Sequence, residues 1–289
     1  MNILLTGANG FIGGNLKRYL QDKYTLLTPR SFELNLTDEK AVKRYFECNN
    51  VDFIIHCGSI GGARGIADKD TTIEENLAMV DNLLKYKHPS VRIILFGSGA
   101  MYDKSKNLHK VKESQIGESI PKDLYGKSKL LLAQKIKAMG GGNTLMLNIF
   151  GCYGYGEKEN RFPSYAINQA LKGDDIVINQ NVIFDYLFVE DMTKIFEYFI
   201  ANVPKDNIIN ITPTLSCALL DIAHIVKDLS GNSDKIHIKI LNPQMNNEYT
   251  GDNTLLLQNY PNLRFTPLQD GLEKLYQYNH NKKQTFASL

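Results

Sequence analysis

Along the first 150 residues, short runs of apolar and β-branched residues alternate with longer stretches in which apolar positions recur at helical spacing. The runs Asn2–Thr6, Tyr24–Leu27, Phe53–His56, Arg92–Phe96 and Thr144–Asn148 predict strands, and the stretches near 11–21, 38–48, 71–86 and 123–139 predict helices. Strands separated in this way need crossover connections, which makes them parallel; right-handed crossovers on both faces give a doubly wound sheet. The expected fold is therefore α/β, a doubly wound parallel sheet of the Rossmann kind. After Asn148 the rhythm changes. Residues 151–156 read as a loop, followed by a helix near 163–172, a strand near 183–187, a helix near 190–202 and a strand near 207–211. Prolines at 213, 243, 261 and 267 then punctuate shorter elements. The pattern predicts a larger lobe over 1–150, to which 182–212 returns, and a smaller C-terminal α/β lobe, mainly 151–289. No linker separates them, so they are expected to interleave.

With 289 residues, 43% of them hydrophobic, the chain can bury a large core without covalent staples. Cys48, Cys57, Cys152 and Cys217 lie too far apart along the chain for a metal clip, so neither a disulfide framework nor a metal site is expected. A net charge of +2, from 33 basic and 31 acidic residues, gives no electrostatic case for nucleic acid. The lysines at 104, 106, 110 and 112 read as a solvated loop. The run Ile3-Leu4-Leu5 is too short for a secretion signal, and no stretch is long enough to span a bilayer, so the expected place is the cytoplasm rather than a membrane.

Chemistry enters with Gly7-Ala8-Asn9-Gly10-Phe11-Ile12-Gly13, which follows the first strand and opens the first helix. Glycines at such a turn let backbone approach a pyrophosphate, whose charge meets free N–H groups and the positive end of the helix dipole. Gly7, Asn9, Gly10, Phe11 and Ile12 are thus expected to hold a dinucleotide. After the second strand the chain reads Leu27-Thr28-Pro29-Arg30-Ser31, with no carboxylate before Glu33 to bind an adenosine ribose. Arg30 and Ser31 suit the extra phosphate, so NADP (NADPH) is expected over NAD.

Tyr125-Gly126-Lys127-Ser128-Lys129 opens a helix, and residues four apart share a face. An ammonium beside a phenol favours the phenolate and brings it toward working range, so Tyr125 and Lys129 read as a proton-transfer pair. The fourth strand ends in Gly97-Ser98-Gly99-Ala100, at the sheet edge where ligands sit in this architecture. Ser98 can offer a hydroxyl to a substrate oxygen beside Tyr125.

These features together resemble the extended short-chain dehydrogenase/reductase family, in its branch of nucleotide-sugar epimerases, dehydratases and reductases. The resemblance extends over nearly the whole chain and includes Ile55-His56-Cys57-Gly58, Asn148-Ile149-Phe150-Gly151 and Asp185-Tyr186-Leu187-Phe188-Val189-Glu190-Asp191. The segment Arg30–Leu36 and the loop Gly58-Ser59-Ile60-Gly61-Gly62 look most like the GDP-fucose synthase group of 4-keto-sugar reductases. The resemblance implies that Ser98, Tyr125 and Lys129 are catalytic, that Cys57, Gly58, Ser59, Tyr125 and Lys129 join the cofactor contacts, and that Ser98, Gly99, Ala100, Asn148 and Arg161 face the substrate. It also implies a homodimer, with the helix starting near Asp123 pairing with the one near 163–172.

Departures narrow the reading. Gly99-Ala100 stands where dehydratases of this branch carry an Asp-Glu pair. Ala100 and Asn160-Arg161 stand where GDP-fucose synthases carry the cysteine and histidine used for epimerisation. Phe184 and Glu248-Tyr249 replace arginines that bind the diphosphate, so either Arg161, Arg64 or the 104–112 lysines substitute or the substrate has no nucleotide diphosphate. What survives is the set for hydride transfer: an NADPH-dependent reductase acting on a keto group of a nucleotide-linked deoxy sugar. The alternatives are a nucleotide-sugar 4-epimerase that retains NAD and, from another class, a non-catalytic NAD(P)-binding sensor or scaffold.

Overall fold

The structure is a computed structural model that describes residues 1–140, 142–231 and 233–287, with side chains through 284. In chain order its elements are β1 (Asn2–Thr6), α1 (Phe11–Leu20), β2 (Thr25–Leu27), α2 (Glu39–Cys48), β3 (Phe53–His56), α3 (Thr72–Tyr86), β4 (Arg92–Ser98), β5 (Leu108–Val111), α4 (Leu124–Met139), β6 (Thr144–Ile149), β7 (Gly151–Tyr153) and α5 (Phe162–Ala170). They continue with β8 (Ile176–Gln180), β9 (Ile183–Phe184), β10 (Tyr186–Phe188), α6 (Val189–Ala201), β11 (Ile208–Ile211), β12 (Cys217–Ala218), α7 (Leu219–Leu229), β13 (Ile238–Asn242), β14 (Tyr249–Gly251), α8 (Thr254–Asn259) and α9 (Leu268–Ala287).

Six strands form one parallel sheet in the order β2-β1-β3-β4-β6-β11. Because successive side chains point to opposite faces, the near-continuous apolar strands supply two cores at once. Ile3, Leu5, Ile55, Ile94, Leu147 and Ile209 face one core, which extends to α6 and the C-terminal lobe. Leu4, Ile54, Ile93, Leu95, Met146 and Ile208 face the other, closed by α2, α3 and α4. Strand order reverses between β1 and β3, and in a sheet of this kind ligands bind beyond the carboxyl ends of the strands at that reversal.

The C-terminal lobe is built differently from the expectation. Residues 151–153 of the predicted loop form β7, which pairs with β10. The single strand expected near 183–187 divides at Asp185 into β9, which joins β12, β14 and β5, and β10. The lysine-rich 104–112 segment is likewise not all solvated loop: Leu108 and Val111 are buried as β5 pairs with β14. Interleaving thus runs both ways, since β11 completes the large sheet while β5 leaves the first 150 residues for the smaller one.

Asp185 explains the split. Its fully buried carboxylate accepts from Gly251 N–H (2.8 Å), Ser216 Oγ (2.6 Å) and Lys110 Nζ (3.3 Å), tying β14, the segment before β12, and β5 to one point. Removing one partner of a buried pair strands the rest. Asp185→Ala should lower stability in urea unfolding by about 3–5 kcal/mol, against about 1 kcal/mol for Ser216→Ala. A loss no larger than that of Ser216→Ala would count against this node.

Candidate active site

The glycine turn after β1 packs on the chain leaving β3. Gly7 has φ +70°, and a Cβ there would lie 2.7 Å from Gly58 N and 2.8 Å from the Cys57 carbonyl carbon. A Cβ on Gly13 would lie 2.2 Å from Gly7 O, so helix α1 meets the turn backbone to backbone. No side chain caps α1, and no acidic residue occupies its first turn. An uncapped, uncharged helix start beside a bare turn fits an anionic pyrophosphate. Cys57 and Gly58 stand at this approach. His56 behind them is buried against Thr6 Oγ1 (2.7 Å), and burial depresses its pKa to about 3, so it is neutral. Arg30 is exposed just past β2, with its guanidinium 5.9 Å from the Phe32 ring centre.

A cleft of about 360 Å³ runs from Phe11 and Ile12 past Phe96 and Gly97 to Ser98 and Tyr125, with Glu157 and Arg161 opposite. It opens into a larger one of about 760 Å³ lined by Ser98, Ala100, Tyr125, Phe184 and Tyr249, together with the cations Arg64, Lys104 and Arg161. Ser98, Ala100, Tyr125 and Arg161 thus line one cleft. Gly99 is buried. Asn148 does not reach the cleft wall: it is fully buried and donates to Asn210 Oδ1 (3.1 Å), which also accepts from Tyr102 (3.0 Å). Of the lysines, Lys104 reaches the large cleft and Lys110 is spent on Asp185.

Tyr125 is held from several sides. Asp123 caps α4 through Gly126 N–H (2.7 Å), while Asp68 accepts from Tyr125 N–H (2.8 Å) and Gly62 N–H (2.8 Å). Asn76 binds both polar groups of Ile60 and reaches Ser128 Oγ (3.2 Å), which itself donates to Tyr125 O (2.7 Å). Asp68 and Asn76 are positioning residues that no motif in the sequence marks. The Ser98 hydroxyl accepts from Ala100 N–H (3.2 Å).

The Lys129 ammonium donates to Phe96 O (2.9 Å) and lies 5.5 Å from the centre of the Tyr125 ring. Burial lowers its pKa to about 8. The expectation that it would depress Tyr125 is not met in the free protein. Burial raises the phenol, opposed by hydrogen bonds from Ser98 and Ser59 and by the charge of Arg161. Desolvation penalises a charged form and here outweighs the charge effects. Tyr125 is therefore a neutral acid, the form a proton donor needs.

On α4, one of the two helices expected to join two copies, Leu130 and Ile136 are buried and Leu131 is exposed. Most of α5 is buried in the C-terminal lobe, where Phe162, Ala166, Ile167 and Ala170 join the core. Among the described residues no helix is long and apolar enough to cross a membrane.

The sequence pattern of the NAD dependent epimerase/dehydratase family matches residues 3–212. A GDP-L-colitose synthase from Yersinia pseudotuberculosis is 38% identical over 109 residues, 36% of this chain and 35% of that protein, so the match spans about a third of that relative's length. A GDP-6-deoxy-D-talose 4-dehydrogenase from Aggregatibacter actinomycetemcomitans is 24% identical across 96% of this chain and 97% of its own. In structure, a GDP-L-fucose synthetase from Naegleria fowleri bound to NADP superposes with a TM-score of 0.82 at 16% identity, covering 98% of this chain and 94% of the other.

The site's one buried cation gives a stability prediction with a definite sign. Lys129 has a folded pKa of about 8 against 10.5 when exposed, so the unfolded chain holds more protons between those values and stability rises with pH there. Below pH 8 the full penalty applies, and Lys129→Met should stabilise the cofactor-free protein at pH 7 by up to roughly 3 kcal/mol while removing turnover. A cofactor-free variant that melts below the parent would show the ammonium to be stabilising instead.

Proposed function

The chain belongs to the NAD dependent epimerase/dehydratase family, and on that premise we propose that it is an NADPH-dependent reductase of a 4-keto group on a GDP-linked deoxy sugar. The observation that carries this reading is the meeting of Ser98 and Tyr125 at the junction of the two clefts, with the buried Lys129 ammonium 5.5 Å from the Tyr125 ring centre and no carboxylate following Ser98 to remove water from a sugar. The GDP-linked sugar is supported by the names of the relatives, and Arg64, Lys104 and Arg161 are the cations available to a diphosphate where Phe184 offers none. Gly7, Asn9, Gly10, Phe11, Ile12, Cys57, Gly58 and Ser59 would hold the cofactor. Arg30 would meet the extra phosphate of NADP, the cofactor bound to the fucose synthetase from Naegleria fowleri. A homodimer would pair α4, through its outer face around Leu131, with the helix near 163–172; a monomer in light scattering at micromolar concentration would exclude it.

When bound, the nicotinamide supplies the hydride that reduces the keto carbon. Ser98 donates a hydrogen bond to the keto oxygen and fixes its position. Tyr125, protonated because it is buried, gives its proton to that oxygen as negative charge develops: the phenol O–H bond breaks and an alcohol O–H bond forms. Lys129 then faces a phenolate, the counter-charge it lacks in the resting protein, and solvent returns the proton.

A panel of 4-keto-6-deoxy nucleotide sugars should consume NADPH in preference to NADH, with NMR showing the reduced sugar. Arg30→Ala should weaken NADPH and leave NADH nearly unchanged; equal loss for both, or an NADH preference in the parent, would sink the cofactor assignment. Tyr125→Phe should bind NADPH normally and lose roughly 10²–10⁴-fold in turnover. Tightly retained NAD after purification, with sugar interconversion and no net reduction, would favour a 4-epimerase instead, whereas binding of the cofactor with no sugar turnover would favour a sensor or scaffold.

A further inference from the structure

A second phenol reaches the same point. Tyr249 opens β14, and its ring is buried against Phe150 (centres 5.2 Å apart) and Phe184 (5.3 Å). Tyr249 and Tyr125 both line the large cleft, the Ser98 hydroxyl lies near enough to act on both phenols, and Tyr249 feels the charges of Tyr125, Arg161 and Asp123. The room for it comes from Gly99. A Cβ at that position would lie 2.7 Å from the Tyr249 hydroxyl oxygen and 2.5 Å from Phe150 Cδ1. The hydroxyl thus stands in the volume that a side chain following Ser98 would occupy, on a strand that is remote in sequence.

Resting on the reductase reading above, we propose that Tyr249 is a further catalytic residue, whose hydroxyl donates a hydrogen bond to the sugar oxygen that receives the proton of Tyr125. A buried tyrosine hydroxyl requires a polar partner, and a donor already in place costs no reorganisation as charge develops on that oxygen. Burial also raises Tyr249 well above the ordinary tyrosine range, with Tyr125 adding to the rise, so it stays protonated and acts as a fixed donor. The two phenols divide the work by position. Tyr125 lies beside the Lys129 ammonium, which can meet a phenolate, whereas Tyr249 lies among aromatic rings.

The test is Tyr249→Phe, which keeps the ring and its packing. It should lower kcat by roughly 10–100-fold and change KM less than about threefold, with NADPH affinity by fluorescence titration and the thermal midpoint unchanged. Gly99→Ala, which displaces the hydroxyl, should lower kcat as well, and adding it to Tyr249→Phe should cost less than the product of the two single losses. If Tyr249→Phe keeps kcat within about twofold while Tyr125→Phe is crippled, this proposal fails and the reductase reading stands. A loss that appears wholly in KM, or with a lowered thermal midpoint that Tyr249→Leu shares, would make the residue a binding or packing element and overturn it. A parent protein that turns over no keto sugar in the panel would overturn both.

Discussion

The constraint on which the site depends is the desolvation of one ammonium. Lys129 is buried on α4, and among the described residues it has no ion pair; a backbone carbonyl at the end of β4 accepts its hydrogen bond. A charge in that position is tolerated only if the surrounding dipoles cannot relax away from it, so the joint between β4 and α4 must be rigid. The chain meets this by spending polar side chains on backbone: Asp68 on the first turn of α4, and the buried Asn76 and Ser128 on the loop after β3 and on Tyr125 O. The same bonds fix the Tyr125 phenol. Strain carried by an uncompensated charge in the free protein becomes attraction when an oxygen carries negative charge beside it, which is how preorganised electrostatics favours a transition state over a resting site.

Much of this was legible in the sequence because the relevant signals are local. The apolar runs of β1, β3, β4 and β6 are continuous since both faces of a parallel sheet are buried, and the glycine turn and Tyr125-x-x-x-Lys129 lie within single turns of chain. What escaped depends on distant partners. The short β5 has buried Leu108 and Val111 among lysines, and its order comes from β14, some 140 residues later. β9 and β10 read as one strand until Asp185 is seen to draw Gly251, Ser216 and Lys110 together. Asn148 carried a motif position, yet its amide is used within the sheet on Asn210. Tyr249 sits in Asn246-Asn247-Glu248-Tyr249-Thr250-Gly251, where no periodicity or spacing singles it out.

The expectation about Tyr125 failed for a physical reason with a wider consequence. A charge four residues away on a helix was expected to favour the phenolate, but spacing says nothing about how much water a site excludes. Burial disfavours the charged forms of several groups in and behind this cleft: it raises Tyr125, Tyr249 and Glu157, the last to about 7, and lowers Lys129 and His56. Phenols that stay protonated suit protonation of an oxygen, since a group that already carries its proton can give it up but cannot take one from carbon. The missing cysteine and histidine of the epimerising relatives and the desolvated phenols therefore point the same way, on independent grounds. The cations Arg64 and Arg161 line both clefts, and the charge of Arg161 acts on both Tyr125 and Tyr249. Charge that would hold an anionic substrate thus stands beside the phenols that would act on its carbonyl, and binding energy there can position the oxygen.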